Sequence, residues 1–133
     1  MSREEELYQS LASCGAILIA FIGVCHEYVG HIVFPWGPAT LGGAIGWHSL
    51  GIFSVVLGLL LLSGTLRLIR FPVIPWAIVA SIIGLMVGVF TAIMHQQFHM
   101  FAFAVTLAAV ATAVFYRKAS KLAATPKGTR DRQ

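Results

Sequence analysis

Long apolar stretches alternate with short polar breaks along the chain, and four stretches are long enough to cross a bilayer. The hydrocarbon core of a bilayer takes about 20 helical residues. The four predicted spans cover residues 11–34, 41–62, 73–94 and 100–116. The pattern therefore predicts an all-α membrane protein, a single four-transmembrane-helix bundle within residues 1–118.

The breaks between the spans have their own signals. The motif PWGP at 35–38 ends the first span, because two prolines break a helix and the glycine permits a turn. A single helix over residues 73–117 would be about 67 Å long, roughly twice the thickness of the hydrocarbon core. The polar stretch HQQFH at 95–99 is therefore predicted to turn the chain. Residues 119–133 are basic and aperiodic, which predicts a disordered cytoplasmic tail near anionic lipid.

Composition and charge agree with a membrane protein. The 133 residues are 58% apolar and 11% charged, whereas soluble domains carry roughly 25% charged residues. A net charge of +4 would suggest nucleic acid as a partner in a soluble protein. In the four-span topology, however, every lysine and arginine falls on one side of the membrane. These residues are Arg3, Arg67, Arg70, Arg117, Lys118, Lys121, Lys127, Arg130 and Arg132.

The charge asymmetry predicts the orientation and location of the chain. Cytoplasmic loops carry an excess of lysine and arginine, so both termini are predicted to be cytoplasmic. The location that follows is the cell membrane, as a multi-pass protein of a bacterial inner membrane. The predicted partner is the lipid bilayer, with no nucleic acid.

All five histidines gather at the other end of the predicted bundle, together with Glu27, which is the one acidic residue outside the terminal regions. Glu27 and His31 are four residues apart and share a helical face. The remaining histidines come from the first span, the second span and the last turn; they are His26, His48, His95 and His99. A compact bundle could bring Glu27, His31, His48, His95 and His99 into one layer.

The chemistry of this layer fits a metal or a cofactor. Imidazole and carboxylate ligands suit zinc, iron, copper, nickel or manganese, which makes Glu27, His31, His48, His95 and His99 the candidate metal ligands. Two of His31, His48, His95 and His99 could instead bind a haem iron from opposite sides, and histidines could also relay protons. The alternative is that these histidines cap carbonyl groups or face water near the turns. His26 is expected to be a simple interface residue.

The stretch HEYVGH (26–31) resembles the zinc-protease motif H-E-x-x-H but does not match it. The motif needs histidines four residues apart on one face, whereas His26 and His31 are five apart. The chain has no glycine-rich phosphate loop and no G-x-S-x-G motif. Whether the protein is an enzyme stays open from the sequence.

Two GxxxG pairs, Gly42 with Gly46 and Gly84 with Gly88, are predicted to pack against other helices. The size and span pattern over residues 10–116 resemble the small four-span bacterial membrane proteins of the DoxX-like kind, an architectural resemblance that implies the fold alone. Three functions therefore stay open: binding of a transition metal or haem, a non-catalytic accessory subunit of a larger membrane complex, and a membrane enzyme. A homo-oligomer is a further expectation.

Overall fold

The computed structural model describes residues 1–33, 41–94, 99–126 and 128. Within these residues it has four helices and no strand, α1 at Arg3–Val33, α2 at Leu41–Thr65, α3 at Val73–Met94 and α4 at Met100–Ala124. Each helix is long and apolar enough to cross a membrane. The all-helical, four-span fold predicted from the sequence is confirmed.

The first helix begins at Arg3 rather than near residue 11, because the polar N-terminus carries its own helix-start signal. The Ser2 hydroxyl accepts a hydrogen bond from the Glu5 backbone N–H at 3.2 Å. This serine–glutamate spacing is that of a capping box. Three glutamates also lie in the first turn, where negative charge is favoured by the helix dipole.

The fourth helix ends at Ala124 rather than near Tyr116, so residues 119–124 are helical and not part of a disordered tail. Ala119 is only 2% exposed, and alanine, lysine and leucine are good helix formers. Thr125 is extended, as expected of a residue that precedes proline. Residues 127 and 129–133 of the predicted tail lie outside the described residues.

The second helix also runs past its predicted end, to Thr65. Ser63 and Thr65 donate hydrogen bonds to the Leu59 and Leu62 carbonyls, both at 2.9 Å. Their hydroxyl groups are thereby satisfied within the helix. Residues 63–65, which lie beyond the predicted span, therefore belong to the last turn of α2.

Helix α1 forms the centre of the packing, in contact with both α2 and α4. Helix α3 packs mainly on α4, and α2 touches α3 at few positions. The buried core is made of small and aliphatic side chains from all four helices, namely Ala16, Ile19, Leu57, Leu61, Val73, Ala77, Ala80, Ala108 and Ala109. The bundle is therefore an arc in the order α2, α1, α4, α3.

Glycines allow the helices of this arc to approach closely. A Cβ atom on Gly84 would overlap the Thr106 hydroxyl of α4, and one on Gly88 would lie 2.8 Å from the Phe103 ring. The prediction for this GxxxG pair is confirmed. The prediction for the other pair is not supported at Gly46, where a Cβ would meet nothing within 4 Å among the described residues.

Helix α2 instead packs through Gly51 and Gly58, which lie seven residues and two helical turns apart on one face. A Cβ on Gly58 would lie 2.7 Å from the Cβ of Ala20, and Gly51 faces the Glu27 side chain. Large apolar side chains such as Phe21 and Ile52 cover the outside of the bundle, at 61% and 58% exposure. Such an apolar exterior suits contact with lipid.

The two ends of the bundle differ in chemistry. At one end, which we call the basic end, Gln9 Nε2 donates to the Thr65 carbonyl at 2.7 Å, and Arg67 pairs with Glu5 at 3.1 Å. The opposite end, which we call the histidine end, carries His26, His31, His48 and His99 of the described residues. Which end faces the cytoplasm stays a prediction.

Candidate metal centre

Two helices position the polar groups of the histidine end. The last turns of α1 carry His26, Glu27 and His31, and the first turns of α2 carry Trp47 and His48. The two helices approach closely here because α1 and α2 each present a glycine. A Cβ on Gly30 would overlap the Trp47 indole, and a Cβ on Gly51 would overlap the Glu27 carboxylate.

Glu27 and His48 form the closest polar contact between these helices. The His48 Nδ1 atom lies 2.6 Å from Glu27 Oε2, which is the distance of a strong imidazole–carboxylate hydrogen bond. Both side chains are partly exposed, at 22% for Glu27 and 37% for His48. The contact fixes the relative positions of one carboxylate and one imidazole from two different helices.

His31 completes a group of three potential ligands. Its ring centroid lies 5.2 Å from that of His48, with the two rings tilted by 41°. One ligand atom from each of Glu27, His31 and His48 lies within 4.8 Å of the others. We call these three residues the Glu27/His31/His48 group. His31 is exposed, so the group opens to the outside of the bundle.

One oxygen of Glu27 has an unusual environment. Glu27 Oε1 is buried, and among the described residues it has no hydrogen-bond partner. A buried carboxylate oxygen without a partner costs folding free energy, by about 1–3 kcal/mol or more for a charged group. A bound cation would offset this cost directly, because it would neutralise the carboxylate.

His26 has a different role from the one expected at an interface. It is 3% exposed, and its Nε2 donates to the Trp47 carbonyl at 2.9 Å while the Trp47 indole N–H donates to the His26 carbonyl at 2.9 Å. The two rings stack with centroids 3.9 Å apart. His26 therefore joins α1 to α2 through a reciprocal pair of hydrogen bonds and does not face the membrane surface.

His99 lies in this aromatic contact and outside the Glu27/His31/His48 group. Its ring centroid lies 5.3 Å from that of His26 and 5.6 Å from that of Trp47. Its Nδ1 accepts a hydrogen bond from the Ala102 backbone N–H at 3.0 Å, which makes His99 the N-cap of α4. Burial lowers the pKa of the His99 imidazole below its usual value of 6.5.

The structure brings together three of the five metal ligands that the sequence predicts. Glu27, His31 and His48 come together, and His99 caps a helix nearby. His95 lies outside the described residues. The sequence did not anticipate the His26–Trp47 pair, although Gly30, one turn beyond His26 on the same face, was a signal of close approach by a large side chain.

The arrangement can hold a metal ion through one carboxylate and two imidazoles. Zinc, iron and copper accept these ligand types. Three protein ligands leave at least one coordination position for water or another molecule, unlike the closed four-ligand sites that only stabilise a fold. The structure thus defines a class: a small four-helix membrane protein with a potential His/Glu metal-binding group at one end.

Comparison with known proteins does not refine this class. No family model matches the chain, and no curated protein or solved structure is significantly similar to it. None of these comparisons supports the resemblance to the DoxX-like proteins.

Proposed function

We propose that this membrane protein binds a transition-metal ion at its histidine end, through Glu27, His31 and His48. The observation that carries the proposal is the convergence of one ligand atom from each residue within 4.8 Å of the others. Ligand atoms about 2.0–2.2 Å from one ion lie roughly 3–3.5 Å from each other when the geometry is tetrahedral or octahedral. Side-chain rotations that move each ligand atom by about 1 Å would therefore bring the group to coordination distance.

A single ion fits this group better than haem does. A haem iron bound by two histidines needs them on opposite faces of a wide planar macrocycle. His31 and His48 instead have neighbouring rings 5.2 Å apart, and His48 is also held by Glu27 at 2.6 Å. A macrocycle entering between these residues would have to break the Glu27–His48 hydrogen bond, whereas an ion would replace only its proton.

The ligand types suit zinc, iron, nickel, manganese and copper in its divalent state. Imidazole and carboxylate suit these ions, whereas thiolate and thioether ligands, which the group lacks, would favour monovalent copper. The exposure of His31 gives the ion a route from solvent at the histidine end. The open coordination position makes the site suited to a metal that exchanges or that binds a further ligand.

Metal titration of matched variants tests the proposal. The protein, stripped of metal in detergent and carrying Cys14→Ser to remove an exposed thiol, is titrated with Zn²⁺ by calorimetry and with Co²⁺ by visible absorption. We expect one ion per chain, with affinity reduced at least about 10–100-fold by Glu27→Gln, His31→Gln or His48→Gln, the loss seen even for groups that merely orient a ligand.

His99→Asn is the matched control, because it removes a histidine at the same end and keeps a good N-cap. This control should bind metal as the parent protein does. Equal affinity for all variants, or an equal loss in the control, would refute the assignment of the three ligands. His95→Gln tests the prediction from sequence that His95 adds a further ligand.

An accessory subunit of a larger complex is the second function that the sequence left open, and no particular contact among the described residues favours it. It becomes the better explanation if the parent protein binds no metal in these titrations.

We also propose that the basic end faces the cytoplasm of a bacterial inner membrane. The gathering of lysine and arginine on one side supports this orientation. A fluorescent protein fused to the C-terminus should fluoresce, and alkaline phosphatase fused at the same point should be inactive. The opposite result would reverse the orientation without affecting the metal site.

A further inference from the structure

The connection between α2 and α3 at the basic end has an unusual surface. Residues 66–72 read LRLIRFP, and three of the aliphatic side chains are exposed, at 46% for Leu66, 73% for Leu68 and 46% for Ile69. A loop in water rarely exposes so many large apolar groups together. The alternation of aliphatic and arginine side chains suits the boundary between lipid headgroups and acyl chains.

A cleft opens beside this connection. Its volume is about 540 Å³, and its lining combines two arginines and a tyrosine with apolar residues. The polar members are Arg67 and Arg70 of the connection and Tyr116 of α4, and Phe71 and Pro72 are among the apolar ones. Guanidinium groups recognise phosphate oxygens through several N–H donors in a fixed geometry.

The position of Arg67 is defined by its backbone as well as by its side chain. Arg67 has a φ of 58°, a left-handed conformation in which glycine is favoured. Its N–H bonds the Gly64 carbonyl at 3.0 Å, and the Leu68 N–H bonds the Ser63 carbonyl at 2.9 Å. This is a Schellman motif with arginine in the place that glycine usually occupies.

The side chain of Arg67 accounts for its presence at this strained position. Its Nη2 donates to Glu5 Oε1 at 3.1 Å, while half of the side chain stays exposed. Glu5 thus holds Nη2 of the guanidinium group in place. The neighbouring ring of Phe71 stacks on Trp76 with centroids 6.2 Å apart, which holds the end of the connection in place.

We propose that the cleft formed by Arg67, Arg70 and Tyr116 binds the phosphate group of an anionic phospholipid. The shared chemistry is that of a phosphate anion, and free phosphate would present the same oxygens. The lipid is the better occupant because the apolar lining residues, among them the exposed Leu68, would contact its acyl chains. Basic pockets between membrane helices are known to suit anionic headgroups.

Lipid retention by the purified full chain tests this site. The protein is equilibrated in mixed micelles with equal amounts of phosphatidylglycerol and phosphatidylcholine of the same acyl chains, and bound lipids are identified by native mass spectrometry. The parent protein should retain phosphatidylglycerol preferentially. Arg70→Gln should reduce this retention roughly fivefold, the effect of about 1 kcal/mol for one arginine near an anionic surface.

Arg3→Gln is the matched control. Arg3 is exposed at the same end of the bundle but does not line the cleft, so its loss changes the net charge equally and should leave retention unchanged. An equal loss in both variants would overturn the site in favour of diffuse charge attraction. Equal retention of the two lipids by the parent protein would also overturn it.

A second experiment distinguishes binding of free phosphate from binding of a lipid. Inorganic phosphate is added at increasing concentration to the phosphatidylglycerol-loaded parent protein at constant ionic strength. We expect no displacement of the lipid, because phosphate lacks the acyl chains. Complete displacement, with phosphate binding that also depends on Arg70, would overturn the assignment to lipid.

Discussion

The substitution Gly51→Ala is predicted to separate Glu27 from His48 and to leave the bundle folded. A Cβ atom at position 51 would overlap Glu27 Oε1 and would lie 2.8 Å from both Cγ and Cδ of Glu27. Real Cβ contacts are not this short, so the glutamate side chain must rotate away. Glu27 is partly exposed and has room to do so, at the expense of its 2.6 Å hydrogen bond to His48.

Two opposing effects determine how much Gly51→Ala changes the free energy of unfolding. Loss of a hydrogen bond to a charged group costs about 1.5–3 kcal/mol, whereas alanine in a helix is favoured over glycine by roughly 0.5–1 kcal/mol. The free energy of unfolding should therefore fall by about 0.5–2.5 kcal/mol. Metal affinity should fall more clearly, by about 10–100-fold or more, because a ligand loses its position.

The same helix supplies the control. Within the part of the chain that the structure describes, a Cβ atom on Gly46 would meet nothing within 4 Å. Gly46→Ala should therefore leave metal affinity unchanged and should not lower the free energy of unfolding. Both variants are compared with the parent protein by reversible unfolding in detergent, followed by circular dichroism, and by Zn²⁺ titration. If Gly51→Ala binds Zn²⁺ as tightly as Gly46→Ala, then Glu27 does not hold the ion.

Two further predictions concern the basic end and the N-cap of α4. Arg67→Gly and Arg67→Ala both remove the pair with Glu5, but only glycine relieves the left-handed backbone. The free energy of unfolding of the glycine variant should therefore be about 1 kcal/mol higher than that of the alanine variant. Equal free energies of unfolding would show that the backbone at Arg67 is unstrained. Burial lowers the pKa of His99 below 6.5 in the folded protein. As the pH falls, the His99 imidazole is therefore protonated in the unfolded chain before it is protonated in the folded one. Stability should thus decrease from about pH 7 to about pH 5, less steeply in His99→Asn. Parallel curves of the free energy of unfolding against pH for the two proteins would contradict the lowered pKa of His99.

The spans and the histidine layer could be predicted because they follow from periodicity and length. Four apolar stretches of membrane length leave few alternatives for the fold, and the end of each stretch places Glu27, His31 and His48 at one level. The i,i+4 spacing of Glu27 and His31 then gives a shared face. The pairing of Glu27 with His48 also needs Gly51, whose missing side chain leaves room for the Glu27 carboxylate, and hydropathy does not show this.

The helix ends were less predictable because they depend on polar signals that a hydropathy window does not weigh. The N-cap at Ser2 extends α1, and α4 continues through residues 119–124 through helix propensity and the burial of Ala119. The end of the apolar stretch does not by itself end a helix. Its end is set by Pro126 instead.

The roles of His26 and His99 were beyond the sequence for a different reason. Each imidazole bonds a main-chain group, the Trp47 carbonyl for His26 and the Ala102 N–H for His99. Nearly every residue carries these main-chain groups, so the order of residue types along the chain does not show which one an imidazole will contact. The sequence could place these histidines at one end of the bundle, but it could not separate helix-joining imidazoles from potential ligands.

The arc-shaped order of the helices has a consequence for the time at which the candidate metal centre is assembled. Glu27, His31 and His48 lie on α1 and α2, and this pair of helices shares the most extensive contact in the bundle. The chain thus carries every residue of the group once its first two spans have been synthesised. Insertion of the second half adds the His99 ring beside His26 and Trp47, so the later helices brace the centre without contributing a ligand among the described residues.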